Sequence, residues 1–199
     1  MPRVSIVIPC YNAEDTLADA LESMRVQTWR DSEVILFDDG STDRTRAIAQ
    51  EYAEKDPRIR LIQSEHVGIV EALRRACAEA DCDFIVRMDA DDLAHPDRVE
   101  RQISLLDESP QVGLCGTLIE SFGEAWGTVR ARYAAWINSL VAPAHLERDR
   151  FIECPIPHPT FCMRRDVYER AGGYQDHGWP EDYDLVMRIA ATGAQLAKV

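Results

Sequence analysis

The 199 residues suit one large domain, or part of a bigger one, with an apolar fraction ordinary for a globular protein. The 35 acidic against 22 basic side chains give a formal charge of −13, which argues against gripping nucleic acid through its phosphates. That charge is compatible with a single phosphorylated small molecule, provided a metal screens the site. No run approaches the roughly 20 apolar residues of a membrane span, and residues 4–8 are too short, and too soon broken by Pro9, to read as a signal peptide. Membrane contact, if there is any, is expected to be peripheral or supplied by further sequence. Six cysteines (Cys10, Cys77, Cys82, Cys115, Cys154 and Cys162) show no CxxC and no zinc-like clustering. Most have apolar neighbours, as buried, reduced thiols of a cytosolic protein do.

In chain order, residues 4–8 are a β-branched run that predicts a buried strand ended by Pro9. A helix follows with Leu17, Ala20, Leu21 and Met24 on one face and Asn12 as a cap near its start. Residues 33–37 read as the second strand, stopping at Asp38-Asp39-Gly40-Ser41, and a helix over 42–54 buries Ile48, Ala49 and Tyr52. Residues 58–62 give a third strand, residues 67–80 a helix striped by Val70, Leu73 and Cys77, and residues 83–88 a fourth strand. Pro96 suits the first turn of a helix whose buried face is Val99, Ile103 and Leu106. Beyond it come a strand over 112–117, a hairpin over 119–129 turning at Gly123 or Gly127, and short helices within 130–150 marked by Trp136, Leu140 and Leu146. Pro155, Pro157 and Pro159 punctuate a loop into a strand over 160–163. A helix over 166–171 ends at Gly172-Gly173, another spans 181–191, and residues 195–199 begin a last strand.

Such alternation predicts an α/β fold, a mostly parallel sheet covered on both faces. Right-handed crossovers bring the tips of strands one, two and four to one edge, where ligands of such sheets bind. Three polar segments meet there: Pro9-Cys10-Tyr11-Asn12, Asp38-Asp39-Gly40-Ser41, and Asp89-Ala90-Asp91-Asp92. Carboxylates this close raise one another's pKa. A solvated acidic turn and a divalent-cation site with oxygen ligands both account for the last segment, and its company at the edge favours the cation.

In this order the motifs resemble the inverting, nucleotide-sugar-dependent glycosyltransferases of family 2, with the GT-A fold. The resemblance rests on Val4-Ser5-Ile6-Val7-Ile8-Pro9-Cys10-Tyr11-Asn12, Asp38-Asp39-Gly40-Ser41-Thr42-Asp43 and Met88-Asp89-Ala90-Asp91-Asp92. Further on come His158-Pro159-Thr160 with Arg164-Arg165, Gly172-Gly173-Tyr174 and Glu181-Asp182-Tyr183-Asp184-Leu185, so nearly the whole chain is covered. It implies a Rossmann-like GT-A domain over 1–199, with residues 1–110 holding the nucleotide-sugar and a smaller, partly antiparallel half over 111–199 facing the acceptor. Pro9 and Tyr11 would lie against base and ribose, and Asp39 would accept a base N–H, favouring uracil. Asp89 and Ala90 would line the donor site, Asp89 meeting ribose hydroxyls or a metal-bound water. Asp91 would hold Mn²⁺ or Mg²⁺ against the diphosphate, and Asp182 would be the catalytic base. Asp38 serves the turn or the ligand equally well, Asp92 orients its loop, Glu181 helps place the acceptor, and Asp184 is a helix-surface charge.

The implied partners are a UDP-sugar and a glycan or lipid-linked acceptor, in polysaccharide or glycoconjugate synthesis, in the cytoplasm or at the inner face of its membrane. Two departures matter. Family members commonly carry an Asn where this chain has Arg74 or a neighbour, and they usually continue past Val199 with further strand and helix. A non-catalytic nucleotide-sugar-binding or scaffold domain is the alternative. A nucleotidyltransferase would want a glycine-rich phosphate loop after strand one, and Pro9-Cys10-Tyr11-Asn12 is not one.

Overall fold

The computed structural model describes residues 3–122 and 128–199. The first half alternates β1 (Val4–Cys10), α1 (Leu17–Arg25), β2 (Ser32–Asp39), α2 (Thr45–Lys55), β3 (Ile59–Ser64), α3 (Ile69–Ala78) and β4 (Phe84–Arg87). Then come α4 (Arg98–Glu108), β5 (Val112–Gly116), α5 (Thr128–Ser139) and α6 (Pro143–Asp149). A 3₁₀ turn (His158–Thr160), β6 (Cys162–Arg164), α7 (Arg165–Arg170), α8 (Glu181–Ala191) and β7 (Gln195–Lys198) complete the chain.

The strands form one seven-stranded sheet in the order β3-β2-β1-β4-β6-β5-β7. β6 alone runs antiparallel, to β4 on one side and β5 on the other, and is the antiparallel element expected of the second half. Both sheet faces are covered, which is why β1 is buried along its whole length and reads as a continuous apolar run. Val7, Ile35, Phe37 and Ile85 pack with Leu73 and Cys77 of α3 and with Leu185 and Ile189 of α8. Ile6, Ile8, Leu36 and Val86 pack with Leu17 and Leu21 of α1 and Val99 and Ile103 of α4. Each such fully buried aliphatic side chain contributes roughly 1.5–3 kcal/mol.

Several boundaries depart from the sequence pattern for identifiable reasons. Pro9 does not end β1, which runs on to Cys10. The Val7 carbonyl takes the Met88 N–H, so Pro9, two residues on, faces the same side. Pairing with β4 stops at Val7–Arg87, and the missing proline donor falls where no ladder bond is needed. β2 likewise carries both Asp38 and Asp39 inside the strand, because its pairing with β3 continues to Asp39–Ser64. Asn12 does not cap α1; it adopts φ 49° and its Oδ1 accepts the Thr42 N–H at 2.8 Å, clasping the loop after β2. Of the hairpin expected over 119–129, the turn at Gly123 or Gly127 lies outside the described residues, residues 119–122 carry no strand, and Thr128 already opens α5.

Gly116 ends β5 under the proline-punctuated loop. A Cβ there would stand 2.2 Å from Ile156 Cγ2 and 2.7 Å from Thr160 Oγ1. Gly116→Ala is therefore expected to cost about 1–3 kcal/mol by overpacking. It should appear as a lower urea midpoint at unchanged m-value, whereas an unchanged midpoint would mean that the loop yields freely.

Candidate active site

The parallel registers Cys10–Asp38 and Val7–Arg87 bring the tips of β1, β2 and β4 to one edge. At the β1 tip, Tyr11 is exposed and stacks on His66, with ring centroids 4.2 Å apart and an interplanar angle of 26°. His66 comes from the loop after β3 and stands 2.9 Å from the Asp39 carboxylate. Asp39 is buried and accepts the Val67 N–H at 2.7 Å and the Gly68 N–H at 3.0 Å, so it fixes that loop. Gly40, at φ +73°, permits the approach: a Cβ there would meet the His66 backbone nitrogen at 2.5 Å. Asp38 is fully buried and supports the turn, accepting from the Ser41 N–H at 3.0 Å and Arg46 Nε at 2.8 Å.

The β4 tip is where charge concentrates. Arg87, with its side chain only 5% exposed, is ion-paired through Nη2 to Asp89 Oδ1. Its Nε and Nη1 are buried with no hydrogen-bond partner among the described residues. Burial pushes the Asp89 carboxyl up, against the pull of Arg87. Burial first, and then the charges of Asp89 and Asp91, push the Asp92 carboxyl up to about 6. Ala90 is buried between them, while Asp91 is exposed. Beneath the loop, Arg98 of α4 is buried and donates through Nη2 to the carbonyls of Arg87 at 2.7 Å and Pro159 at 2.8 Å. Burial lowers its guanidinium to about 10, which leaves it charged at neutral pH.

β6 brings the second half of the chain to the same edge. It pairs Cys162 with Val86, so the 3₁₀ turn before it lies beside the β4 tip, and the Arg87 N–H donates to the Phe161 carbonyl at 2.8 Å. His158 of that turn stands 3.5 Å from Glu181, the first residue of α8. Asp182 follows; its Oδ1 accepts the Tyr183 N–H at 2.7 Å, and its charge is felt by Tyr133 and Cys154, whose ionisations it opposes.

The structure thus brings Pro9, Tyr11, Asp39, Asp89, Ala90 and Asp91 together at one edge, with Asp182 linked to it through Glu181 and His158. Arg74 is engaged with Glu71 at 2.6 Å on an exposed helix face. Asp184 is not a free surface charge, since its side chain is 15% exposed and bonded to Arg188 Nε at 2.9 Å. His66, Arg87 and Arg98 carry contacts that sequence patterns did not assign. A cation closing an apolar strand directly before three aspartates was a readable sign for Arg87; nothing in the sequence singled out His66.

Among the described residues no three His, Cys, Asp or Glu side chains converge as a metal cage. A hard divalent cation does not require one. Mg²⁺-type ions keep several waters and are commonly held by one or two carboxylates plus substrate phosphates. Asp91, exposed and without a hydrogen bond or ion pair among the described residues, fits that donor set, and the Asp89 and Asp92 carboxylates stand in the same loop.

Comparison with known proteins gives a consistent result. Residues 5–172 match the family model described as glycosyl transferase family 2. The putative glycosyltransferase EpsE of Bacillus subtilis is 34% identical over 197 residues, covering 96% of this chain and 68% of the relative. The amylovoran biosynthesis glycosyltransferase AmsE of Erwinia amylovora is 30% identical over 198 residues, covering 98% and 72%. Among solved structures, the mannosyltransferase PcManGT from Pyrobaculum calidifontis, in complex with GDP-Man and Mn²⁺, superposes with a TM-score of 0.78 at 23% identity. That match covers 100% of this chain and 55% of the mannosyltransferase. S. aureus TarS 1–349 with UDP-GlcNAc gives 0.74 at 19% identity, covering 99% and 56%. These likenesses identify the fold as GT-A. The chain spans just over half of either solved structure.

The raised Asp92 carboxyl has a consequence for stability. Between its ordinary value of 3.8 and about 6, the folded chain holds a proton there that the unfolded chain has lost. This group's contribution therefore falls as pH rises through that window. Without divalent cations, Asp92→Asn is expected to be more stable than the unaltered chain near pH 7.5, and the two should converge near pH 4. Urea titrations at both pH values check this; equal stability near neutrality would contradict it.

Proposed function

The chain belongs to glycosyl transferase family 2, and from that premise we propose that it moves a sugar from a nucleoside-diphosphate sugar, most naturally a UDP-sugar, to an acceptor hydroxyl with inversion. Mn²⁺ or Mg²⁺ assists, and the product belongs to polysaccharide or glycoconjugate synthesis, the setting named for the amylovoran relative. The observation that carries the reading is the convergence of three things at one sheet edge. These are the Tyr11–His66 aromatic pair beside Asp39, the acidic loop after β4, and the start of α8. Residues 1–110 are the donor half and residues 111–199 the acceptor half.

Pro9 and Tyr11 lie against the base and ribose. Asp39 accepts a base N–H, since an ionised carboxylate has about four acceptor sites and the Val67 and Gly68 amides occupy two. Asp89 takes the ribose hydroxyls or a metal-bound water, with the Ala90 backbone lining the same pocket. Asp91 would hold the cation, which when bound would supply Lewis-acid stabilisation of the leaving diphosphate. The acceptor oxygen attacks the anomeric carbon as the carbon–oxygen bond to phosphate breaks, and the bond's electron pair leaves with the nucleoside diphosphate. Asp182 takes the acceptor's proton, a contribution of typically 10²–10⁴-fold in rate. A single in-line displacement inverts the anomeric centre without a covalent sugar intermediate.

The acceptor is a glycan or lipid-linked hydroxyl. No described helix is long and apolar enough to cross a membrane. The site of action on this reading is the cytoplasm or the inner face of its membrane, and six free cysteines, of which five are buried, suit the cytoplasm.

Calorimetry with UDP and GDP, with and without Mn²⁺, and a donor-hydrolysis assay test the reading. UDP is expected to bind in a Mn²⁺-dependent manner. Asp91→Ala should abolish the Mn²⁺ dependence, and Asp182→Asn should keep UDP binding while lowering turnover by about 10²-fold or more. Tight UDP binding with no sugar release over hours would favour a non-catalytic binding domain instead.

A further inference from the structure

The 3₁₀ turn His158–Thr160 is held from several sides. Its Pro159 carbonyl accepts from Arg98 at 2.8 Å, its Thr160 carbonyl from Gln102 Nε2 at 2.7 Å, and its Thr160 hydroxyl from the Thr117 N–H at 3.2 Å. The imidazole of His158 points the other way, 9% exposed, packed against Phe161 and Tyr174 with ring centroids 5.0 and 5.6 Å away. Its Nε2 is 2.8 Å from the Tyr174 hydroxyl, and its Nδ1 is 3.5 Å from Glu181 Oε1. Burial, and then the charge of Arg87, hold its pKa well below the ordinary value, so the ring is neutral. A neutral imidazole carries one N–H, and an ionised carboxylate only accepts. With Nε2 accepting from the Tyr174 O–H, the hydrogen sits on Nδ1 and faces Glu181, at 3.5 Å a charge–dipole contact longer than a hydrogen bond. The other end of this tie needs a holder. Residues 176–180 before α8 are exposed, and the N-cap Pro180 makes no side-chain capping bond.

We propose that His158 is a positioning residue for the transfer: through the charge–dipole contact of its Nδ1–H it holds Glu181, and with it the first turn of α8, at the β4 edge, setting where Asp182 stands relative to the donor. This rests on the reading of Asp182 as the base. His158 itself touches neither donor nor acceptor.

The test compares His158→Leu, His158→Asn and Glu181→Ala in the full chain. Asn keeps an amide N–H near the Nδ1 position, Leu keeps bulk without a donor, and Glu181→Ala removes the acceptor at a partly exposed site. Amide exchange over residues 183–186 is expected to quicken at least tenfold in His158→Leu and Glu181→Ala and to recover in His158→Asn, with β4 unchanged. With UDP-N-acetylglucosamine or UDP-glucose and Mn²⁺, kcat for UDP release should fall at least tenfold in the first two. Their Kd for UDP with Mn²⁺ should stay within twofold. Unchanged exchange, kcat within twofold, Asn behaving as Leu, or donor affinity falling as far as kcat would overturn the proposal. Should His158→Leu not fold, Glu181→Ala decides by the same criteria. A wild-type chain that neither binds UDP nor releases it would sink the functional reading, while the exchange comparison would still decide whether the tie exists.

Discussion

The end of β4 has to hold three aspartates within four residues, and it does so over two buried guanidinium groups. Arg87 pairs with Asp89 within the loop, and Arg98 grips the backbone carbonyls below it. Neither cation is cheaply buried. Desolvation of an ion costs several kcal/mol, and an ion pair offsets that cost only when its geometry and remaining hydrogen bonds are good. Arg87 leaves two nitrogens unpartnered, so this pair is poor evidence for stability and better evidence for a fixed arrangement of charge. The two guanidiniums oppose each other, burial and then the charges of Asp89 and Asp91 raise Asp92, and Asp91 stands exposed.

The antiparallel strand β6 is what turns this local arrangement into a site with two sides. A parallel strand in its position would enter from the opposite edge, and its preceding loop would lie far from the β4 tip. Running backwards, β6 begins where β4 ends, pairing Cys162 with Val86. The proline-rich loop before it is therefore delivered to the edge that already carries Tyr11, Asp39 and Asp89. α8 packs beside α7, and its apolar stripe, Leu185 and Ile189, packs on the sheet face shared with α3. Strand direction and helix packing together bring the start of α8 to the edge without any long reach of side chains.

Much of this was legible because it depends on periodicity and on residue type. The seven strands and the order of helices follow from apolar runs and stripes, and α8 and its Leu185 and Ile189 face were readable to the residue. What was not legible depends on pairing and burial. Pro9 looked like a strand end because proline lacks a donor, yet whether a donor is missed depends on how far β4 extends beside it. Asn12 looked like a cap because of its type; its partner, Thr42, is thirty residues away. Arg98 and Gln102 lie on the buried face of α4 with Val99 and Ile103, and an apolar stripe cannot announce polar members whose acceptors are carbonyls of another segment. His66 had no sequence signal because its neighbours Tyr11 and Asp39 come from two other strands.

Asp39 serves the fold, and on the proposed reading the same buried carboxylate also serves the ligand. Two backbone amides of the loop after β3 fill part of its acceptor capacity, and His66 closes over another part while stacking on Tyr11. A centroid separation of 4.2 Å leaves no room for a base between the two rings. On the proposed reading a base would therefore stack on an outer face of the pair, or displace the imidazole and take its place beside Asp39. The second course exchanges one ring N–H for another at the same carboxylate, and one stacked ring for another on Tyr11. Both contacts that His66 makes, with Tyr11 and with Asp39, are of the kind a pyrimidine would make on the proposed reading. The β3 loop, fixed through its amides, would remain in place while only the side chain moved.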